Sequence, residues 1–283
     1  MRTNSSVWAG ILFGSAWLAA AVAQPALAGD PTQKAVADAG AAIELAPAAE
    51  LAYYHRGRSW SQQGRSEQAI ADFSRAIRLN PKFCAAYNGR ANEFFRLGDY
   101  EKAIADYNDA AFLDPNPGMV YCNRAGAWLK SGEVEIAIDD YGEAIRRNPA
   151  YAPAFHGRGN AWVVSGEYKS ALADYRRAIE LDPKYAEVYD NLAWLLASGP
   201  AAEHRDGAEA VKLATKSCEL TVWKSAGPIA TLAAAHAEAG DFTSAVRWQK
   251  RAIELAPEQT RLRTRLASYQ VRKPYHSRPS DGF

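Results

Sequence analysis

The sequence predicts an all-α fold, a solenoid of antiparallel helix pairs, and three observations support this prediction. Prolines recur every 34 residues, at Pro47, Pro81, Pro115, Pro149 and Pro183. Glycine occupies the fifteenth place of four successive 34-residue units. Aromatic and alanine residues repeat at helical spacing between these markers. A fixed period of this length is typical of stacked hairpins, in which each unit buries its apolar face against its neighbour.

Each unit carries a first helix that ends at the glycine and a second helix that ends before the proline. With unit starts at Glu50, Cys84, Gly118 and Ala152, the fourth and eleventh places are aromatic and the twentieth and twenty-seventh are alanine. Glycine permits the turn that ends the first helix, and proline cannot continue the second. The small alanines let the two helices approach closely, and the aromatic side chains fill the space between them.

The same register divides the rest of the chain. We predict a signal peptide at 1–28, a half repeat at 29–49, a capping helix at 258–271 and a disordered tail at 272–283. Between them lie six repeats, at 50–83, 84–117, 118–151, 152–185, 186–225 and 226–257. The fifth repeat is longer because residues 198–207 extend its internal loop. The tail contains prolines and has no helical period, which predicts disorder.

The signal peptide is predicted from the composition of the first residues. Arg2 precedes an uncharged apolar run at 7–23, and Ala26, Leu27 and Ala28 supply the small residues that signal peptidase accepts. Cleavage after Ala28 would export the mature chain to the periplasm or out of the cell. The alternative is an uncleaved membrane anchor formed by the run 7–23, which is just short of the length that spans a bilayer.

Charge and motif content argue against several classes of function. The 283 residues include 33 basic and 32 acidic side chains, and this balance gives no indication of a nucleic-acid partner. The three cysteines are odd in number and follow no metal-ligand spacing, which predicts buried apolar roles. The histidines, glycine runs and serines match no metalloprotease, phosphate-binding or nucleophile motif. We therefore predict no enzymatic activity, no metal and no cofactor.

The pattern of aromatic, glycine, alanine and proline places resembles the tetratricopeptide repeat, and the resemblance covers almost all of the mature chain. It implies a right-handed superhelical solenoid with a C-terminal capping helix. It also implies a concave groove, lined by the first helices, that binds protein or peptide partners, so the expected function is that of a non-catalytic scaffold. Two alternatives stay open: a membrane-tethered assembly factor, and an accessory protein that binds a non-protein ligand in the groove.

The resemblance also implies which first-helix positions line the groove. Those positions supply Tyr54, Arg58, Asn88, Asn92, Phe95, Arg96, Met119, Cys122, Leu129, Lys130, His156, Asn160, Val163, Glu187, Asp190 and Trp194. Asparagine both donates and accepts hydrogen bonds, which suits the backbone of a bound peptide. The predicted groove runs from basic positions (Arg58, Arg96 and Lys130) to acidic ones (Glu187 and Asp190), which would orient a partner of opposite polarity.

Some members of the family clamp a C-terminal carboxylate with asparagine, lysine and arginine side chains from successive repeats. Asn92 with Asn123, and Asn160 with Asn191, match the asparagine positions of that clamp. The cationic positions are filled by uncharged residues or by histidine, which argues against a clamp of this kind.

An arginine recurs at the seventh place of four repeats, where the family usually has an aliphatic residue. An aspartate recurs at the twenty-third place of the same repeats, and both are replaced together in the last two, by Leu192 with Leu213 and by Leu232 with Trp248. This co-occurrence predicts contact, because an unpaired buried guanidinium would cost several kcal/mol. The predicted structural ladder places each arginine between two aspartates, in the order Asp38, Arg56, Asp72, Arg90, Asp106, Arg124, Asp140, Arg158 and Asp174. The alternative is a row of arginines that binds an anionic ligand.

Overall fold

A computed structural model of the chain describes residues 31–277. These residues form fourteen α-helices, one short 3-10 helix and no β-strand, which confirms the all-α class. The α-helices are α1 Pro31–Leu45, α2 Glu50–Gln62, α3 Ser66–Leu79, α4 Cys84–Arg96, α5 Tyr100–Leu113, α6 Gly118–Ser131, α7 Val134–Arg147, α8 Ala152–Ser165, α9 Tyr168–Leu181, α10 Ala186–Ser198, α11 Gly207–Leu220, α12 Ala226–Glu238, α13 Phe242–Leu255 and α14 Thr260–Gln270. The predicted signal peptide, 1–28, lies outside the described residues.

The repeated glycine ends the first helix of a pair by adopting a left-handed backbone. Gly132, for example, has φ +97° and follows α6 directly. The next amide, of Glu133, donates a 2.9 Å hydrogen bond to the Trp128 carbonyl and so satisfies one of the free acceptors at the helix end. A side chain with a Cβ would be strained at this φ, which explains the fixed position of glycine in the period.

The chain divides into two compact units, of which the first ends at Ala150 and the second begins at Tyr151. In the first unit α2 packs on α3, α4 on α5 and α6 on α7, and the pairs contact one another through α3 with α4 and α5 with α6. The repeated alanines Ala69, Ala76, Ala103 and Ala110 are fully buried where these helices approach. Helix α1 packs on α2 in the place of the predicted half repeat.

The second unit contains α8 to α14, paired as α8 with α9, α10 with α11 and α12 with α13, with α14 packed on α13. The longer loop of the fifth repeat contains the 3-10 helix Ala202–His204. Leu192 and Leu232, which replace the arginines, are buried in the core of this unit. Trp248, which replaces one aspartate, stacks on Trp223 with ring centroids 5.1 Å apart. Leu232 and Trp248 belong to one apolar cluster, so apolar packing takes the place of the charged pair in this repeat.

Residues 272–277 differ from the predicted disorder. Ser277 is buried, and its amide and hydroxyl both donate hydrogen bonds of 2.8 Å to the backbone carbonyl of Ser198. The Tyr275 ring lies beside Trp194, with centroids 6.1 Å apart. These long-range contacts, which no local sequence period reveals, hold the segment against the second unit.

Within residues 31–277, no helix is both long enough and apolar enough to cross a lipid bilayer.

Candidate functional site

The four recurring arginines each form a two-pronged ion pair with the aspartate of their own repeat. Arg124 Nε and Nη2 donate to Asp140 Oδ2 and Oδ1, both at 2.7 Å. The other three repeats have the same geometry at 2.7–2.8 Å, in the pairs Arg56 with Asp72, Arg90 with Asp106 and Arg158 with Asp174. Because the aspartate lies on the second helix of the same hairpin, each pair closes one hairpin.

This arrangement corrects the predicted alternating ladder. Among the described residues, no ion pair joins one of these arginines to the aspartate of the preceding repeat. In two of these arginines the third guanidinium nitrogen, Nη1, donates instead to an uncharged side chain of the preceding repeat. Arg90 donates to Ser74 Oγ at 3.0 Å, and Arg124 donates to Asn108 Oδ1 at 2.7 Å. Asp38, the predicted first rung, is 68% exposed and pairs with Lys34 on its own helix.

Each of these arginines also lies over the aromatic ring three residues before it on the same helix. The guanidinium carbon is 4.9 Å from the ring centroid of Tyr121 at Arg124, and 5.7 Å from that of Tyr53 at Arg56. The hydrogen bonds from the carboxylates raise the arginine pKa values above their ordinary level in Arg56, Arg90 and Arg124. With one edge bonded to a carboxylate and one face against an aromatic ring, each guanidinium is already occupied, which favours a structural role over binding of an anion.

An open group of three asparagines lies on α4 and α6, and we call Asn88, Asn92 and Asn123 the asparagine cluster. The Asn123 amide nitrogen donates to Asn88 Oδ1 at 3.2 Å and is 3.5 Å from Asn92 Oδ1. The buried Tyr107 hydroxyl donates to Asn92 Oδ1 at 2.6 Å and so fixes the orientation of that amide. Within residues 31–277, the Asn88 and Asn92 amide nitrogens make no hydrogen bond, so both donors are presented to solvent.

The predicted groove residues around this cluster differ in how far their side chains are exposed. Tyr54 packs against Phe83 with centroids 4.9 Å apart and acts as part of the core. Phe95 is half-buried against Tyr100. Met119 is 60% exposed and lies one helical turn before Asn123, so it offers apolar surface beside the cluster.

The basic groove residues have different surroundings. Arg58 is exposed and lies 5.8 Å from the Tyr54 ring centroid. Arg96 donates to the backbone carbonyl of Ser61 at 3.0 Å. Lys130 is half-buried, and burial lowers its pKa.

A second network of the same design lies in the second unit, but it is buried. Asn160, only 9% exposed, accepts hydrogen bonds from the Tyr175 hydroxyl at 2.7 Å and from the Asn191 amide at 3.1 Å. His156 Nδ1 is 3.0 Å from the Tyr185 hydroxyl, and its Nε2 is 2.9 Å from the Asn191 amide nitrogen. Burial lowers the pKa of His156 to about 4, so the imidazole is neutral at physiological pH and accepts from the asparagine amides.

The two networks differ because histidine replaces asparagine at the fifth place of the fourth repeat. The larger His156 ring fills the space that is open beside Asn88 and engages the Asn160 amide at 3.3 Å. Asn92 and Asn160 occupy equivalent places in the repeat, and the tyrosines that support them were not predicted. The available signal was that both asparagines have a tyrosine fifteen residues later, at Tyr107 and Tyr175.

Of the remaining predicted groove residues, Leu129 and Val163 are buried in the core, and Glu187, Asp190 and Trp194 lie on α10. The Arg265 guanidinium carbon lies 4.1 Å from the Trp194 ring centroid and 4.9 Å from that of Tyr275, so the arginine is held between the two rings. Burial raises the pKa of Asp190 to about 6, despite a hydrogen bond with Thr231, and it also raises the pKa of Glu187. The acidic end of the predicted groove therefore carries less negative charge than the residue types suggest.

Cys122, another of the predicted groove residues, is a core residue. Burial raises the pKa of its thiol to about 12, which keeps it protonated and unreactive at neutral pH. In the part of the chain that the structure describes, no group of three or more histidine, cysteine, aspartate or glutamate side chains is placed to hold a metal ion.

Comparisons with known proteins agree with the repeat pattern. A family model described as tetratricopeptide repeat matches residues 26–82 and 61–120, and one described as TPR repeat matches residues 159–197. No curated protein sequence matches the chain.

Solved structures resemble the chain at low sequence identity. A chain of the Cut9–Hcn1 hetero-tetramer of APC/C has a TM-score of 0.73 at 15% identity; the match covers 84% of this chain and 46% of that one. PilF of Pseudomonas aeruginosa has a TM-score of 0.67 at 18% identity, with 79% and 97% covered. Yeast Tom70 has a TM-score of 0.58 at 19% identity, with 85% and 59% covered. The chain thus spans about half of the matched Cut9–Hcn1 chain, and these likenesses show the fold alone.

Proposed function

Because this chain is a tetratricopeptide-repeat protein, a scaffold of the kind that typically mediates protein–protein interaction, we propose that it binds an extended segment of a protein partner at the asparagine cluster. The scaffold is non-catalytic, and it acts after export. Export is supported by the apolar run at 7–23 and the small residues Ala26 and Ala28.

The observation that carries this proposal is the unused hydrogen-bonding capacity of Asn88, Asn92 and Asn123. The amide nitrogens of Asn88 and Asn92 and the Asn123 Oδ1 atom have no hydrogen-bond partner within residues 31–277, so they offer donors and an acceptor on one partly exposed face. A peptide backbone alternates carbonyl acceptors with amide donors, so it complements such a set. Tyr107 holds Asn92 in place before binding, which reduces the entropy that the complex loses.

Met119 adds the apolar contact that a purely polar site lacks. Its side chain is exposed on the same face of α6 as Asn123, one turn away. We therefore expect the bound segment to be extended and to carry an aliphatic residue near the backbone groups that contact the asparagines.

The non-catalytic part of the proposal is supported by the state of Cys122 and His156, whose residue types act as nucleophile and base in many enzymes. Cys122 is buried with a raised pKa, and His156 is buried, neutral and fully hydrogen-bonded. A general base must reach a reacting group, and a nucleophile must ionise, so neither residue is suited to catalysis.

The test uses peptides selected by the full chain from a random library displayed on phage, with affinities measured by calorimetry. The test variant is Asn88→Ala with Asn123→Ala; Asn92 is retained because the buried Tyr107 hydroxyl depends on it. We expect at least about 10-fold weaker binding, since each peptide hydrogen bond contributes about 1 kcal/mol. The matched control is Asn116→Ala, an exposed asparagine in the turn between α5 and α6. Equal affinity in the test variant and the control would refute the site.

A further inference from the structure

Residues 272–277, which we call the C-terminal arm, lie across the second unit at the ends of two first helices. The Ser277 amide and hydroxyl both donate to the Ser198 carbonyl in the last residue of α10. Carbonyls in the last turn of a helix have no partner within it, so this one accepts from outside. The arm therefore bonds to α10 through one backbone amide and one hydroxyl, both of Ser277, and backbone bonds of this kind also hold bound peptides.

Side chains of the arm are recognised as well. The Tyr275 ring lies over the Arg265 guanidinium, which in turn lies over Trp194. The His276 Nε2 atom is 2.7 Å from Glu238 Oε2, at the end of α12. The Glu238 carboxylate is held in position for this contact, because its other oxygen accepts a hydrogen bond from Arg205 Nε at 2.9 Å.

The arm covers a position that the repeat pattern assigns to ligand binding. Trp194 occupies the ninth place of the fifth repeat, which is the place of Asn92 in the second repeat and of Asn160 in the fourth. Its half-buried ring lies against Arg265 of α14 and beside Tyr275 of the arm, so the arm occupies part of the surface around it.

We propose that the arm is a built-in occupant of a second peptide site, formed by Trp194, Ser198, Glu238 and Arg265. That site binds an extended partner segment in which an aromatic residue is followed by a basic residue and a hydroxyl residue, as in the arm's own Tyr275, His276 and Ser277. The inference rests on the proposed function only in taking the chain to be a peptide-binding scaffold; it concerns a different site.

The tether explains how such a site is kept closed without a tight intrinsic contact. A covalently attached ligand has an effective concentration on the order of millimolar, so a free segment of the same sequence competes poorly. The apparent association constant for an added peptide equals the intrinsic constant multiplied by the fraction of molecules in which the arm is displaced. Weakening the arm should raise that fraction and strengthen the binding of added peptide.

The experiment measures fluorescence anisotropy of a labelled synthetic peptide, Arg-Lys-Pro-Tyr-His-Ser, which repeats residues 272–277. It is titrated with the full chain and with the full chain carrying Tyr275→Ala and His276→Ala. We expect at least about 10-fold tighter binding to the variant. Adding Trp194→Ala to the variant should abolish the gain. Lys273→Ala, an exposed position in the arm, is the matched control and should behave as the unmodified chain.

Equal binding to the unmodified chain and the variant, or no binding to either, would overturn the inference. A second variant, Ser277→Pro, removes the amide and hydroxyl donors to Ser198 and should open the site in the same direction. The Asn88→Ala and Asn123→Ala variant should leave binding of this peptide unchanged. A failure at the asparagine cluster and a failure at the arm are therefore separate results.

Discussion

Arg124 and Asp140 form two parallel hydrogen bonds of 2.7 Å between the first and second helices of one hairpin. Their side chains are only 18% and 11% exposed. Removing two charges from water costs several kcal/mol, and the two short bonds offset most of that cost. The pair therefore specifies how the hairpin closes, while its net contribution to stability stays modest.

Breaking the pair on one side should be far more damaging than replacing both partners. We expect Arg124→Ala to lower the free energy of unfolding by about 3 kcal/mol, because Asp140 is left buried without its partner. The double variant Arg124→Leu with Asp140→Leu should recover most of this loss, as the natural pair Leu232 with Trp248 indicates.

Thermal and urea unfolding followed by circular dichroism would measure these effects. Arg146→Ala is the matched control, because Arg146 is exposed and pairs with Glu143 on its own helix. An Arg124→Ala midpoint equal to that of the control would contradict the structural role of the pair.

The close approach of α8 and α9 at Gly159 gives a second prediction. A Cβ atom at this position would lie 2.6 Å from Cε1 of Tyr175, whose hydroxyl is fixed by Asn160. We expect Gly159→Ala to destabilise the protein by about 1–3 kcal/mol, because the ring cannot move aside without losing its hydrogen bond.

Gly126→Ala is the matched substitution on α6. There the nearest atom to the new Cβ is 3.6 Å away, an ordinary contact. The better helix propensity of alanine should then raise stability by about 0.5–1 kcal/mol. Opposite signs for the two substitutions in chemical denaturation are the expected result, and a stabilising Gly159→Ala would show that the helices are less closely packed.

Protonation of His156 should make the second unit sensitive to acid. The pKa of His156 is about 4 in the folded protein, against an ordinary value of about 6.5. The unfolded chain therefore binds more protons than the folded chain between these values. Stability from the neutral imidazole is full above pH 6.5 and is lost as the pH falls towards 4.

We expect about 2 kcal/mol of this contribution to be lost between pH 7 and pH 5. His156→Asn should remove that dependence, so the difference in unfolding free energy between variant and unmodified chain should change by this amount over the interval. Urea unfolding at the two pH values measures it, with His55→Asn, an exposed histidine, as control. A difference that is the same at both pH values would mean that His156 is not kept neutral by burial.

Much of the helical architecture can be predicted from the sequence because the period leaves few alternatives. Each marker residue has a local backbone requirement, such as the positive φ at Gly132. The pairing of the charges was harder. Asp72 lies sixteen residues after Arg56 and eighteen before Arg90, so the sequence spacing is nearly the same in both directions. Only the way the hairpin closes decides that Asp72 binds Arg56.

The site was predicted less well, because exposure depends on the size of neighbouring side chains. Asn92 and Asn160 occupy the same place in the repeat, yet one is exposed and the other is buried by His156. The arm was missed for another reason. Its contacts join residues far apart in the chain, such as Ser277 and Ser198, and no local pattern indicates them.

Because the charged pair is closed inside one hairpin, the second repeat can be removed without separating an arginine from its aspartate. Excising 84–117 would remove Arg90 and Asp106 together and would bring Ser74 to the position of Asn108, where it can accept from Arg124. Deletion at these boundaries leaves neither member of an arginine–aspartate pair behind, so each remaining hairpin keeps its own ion pair.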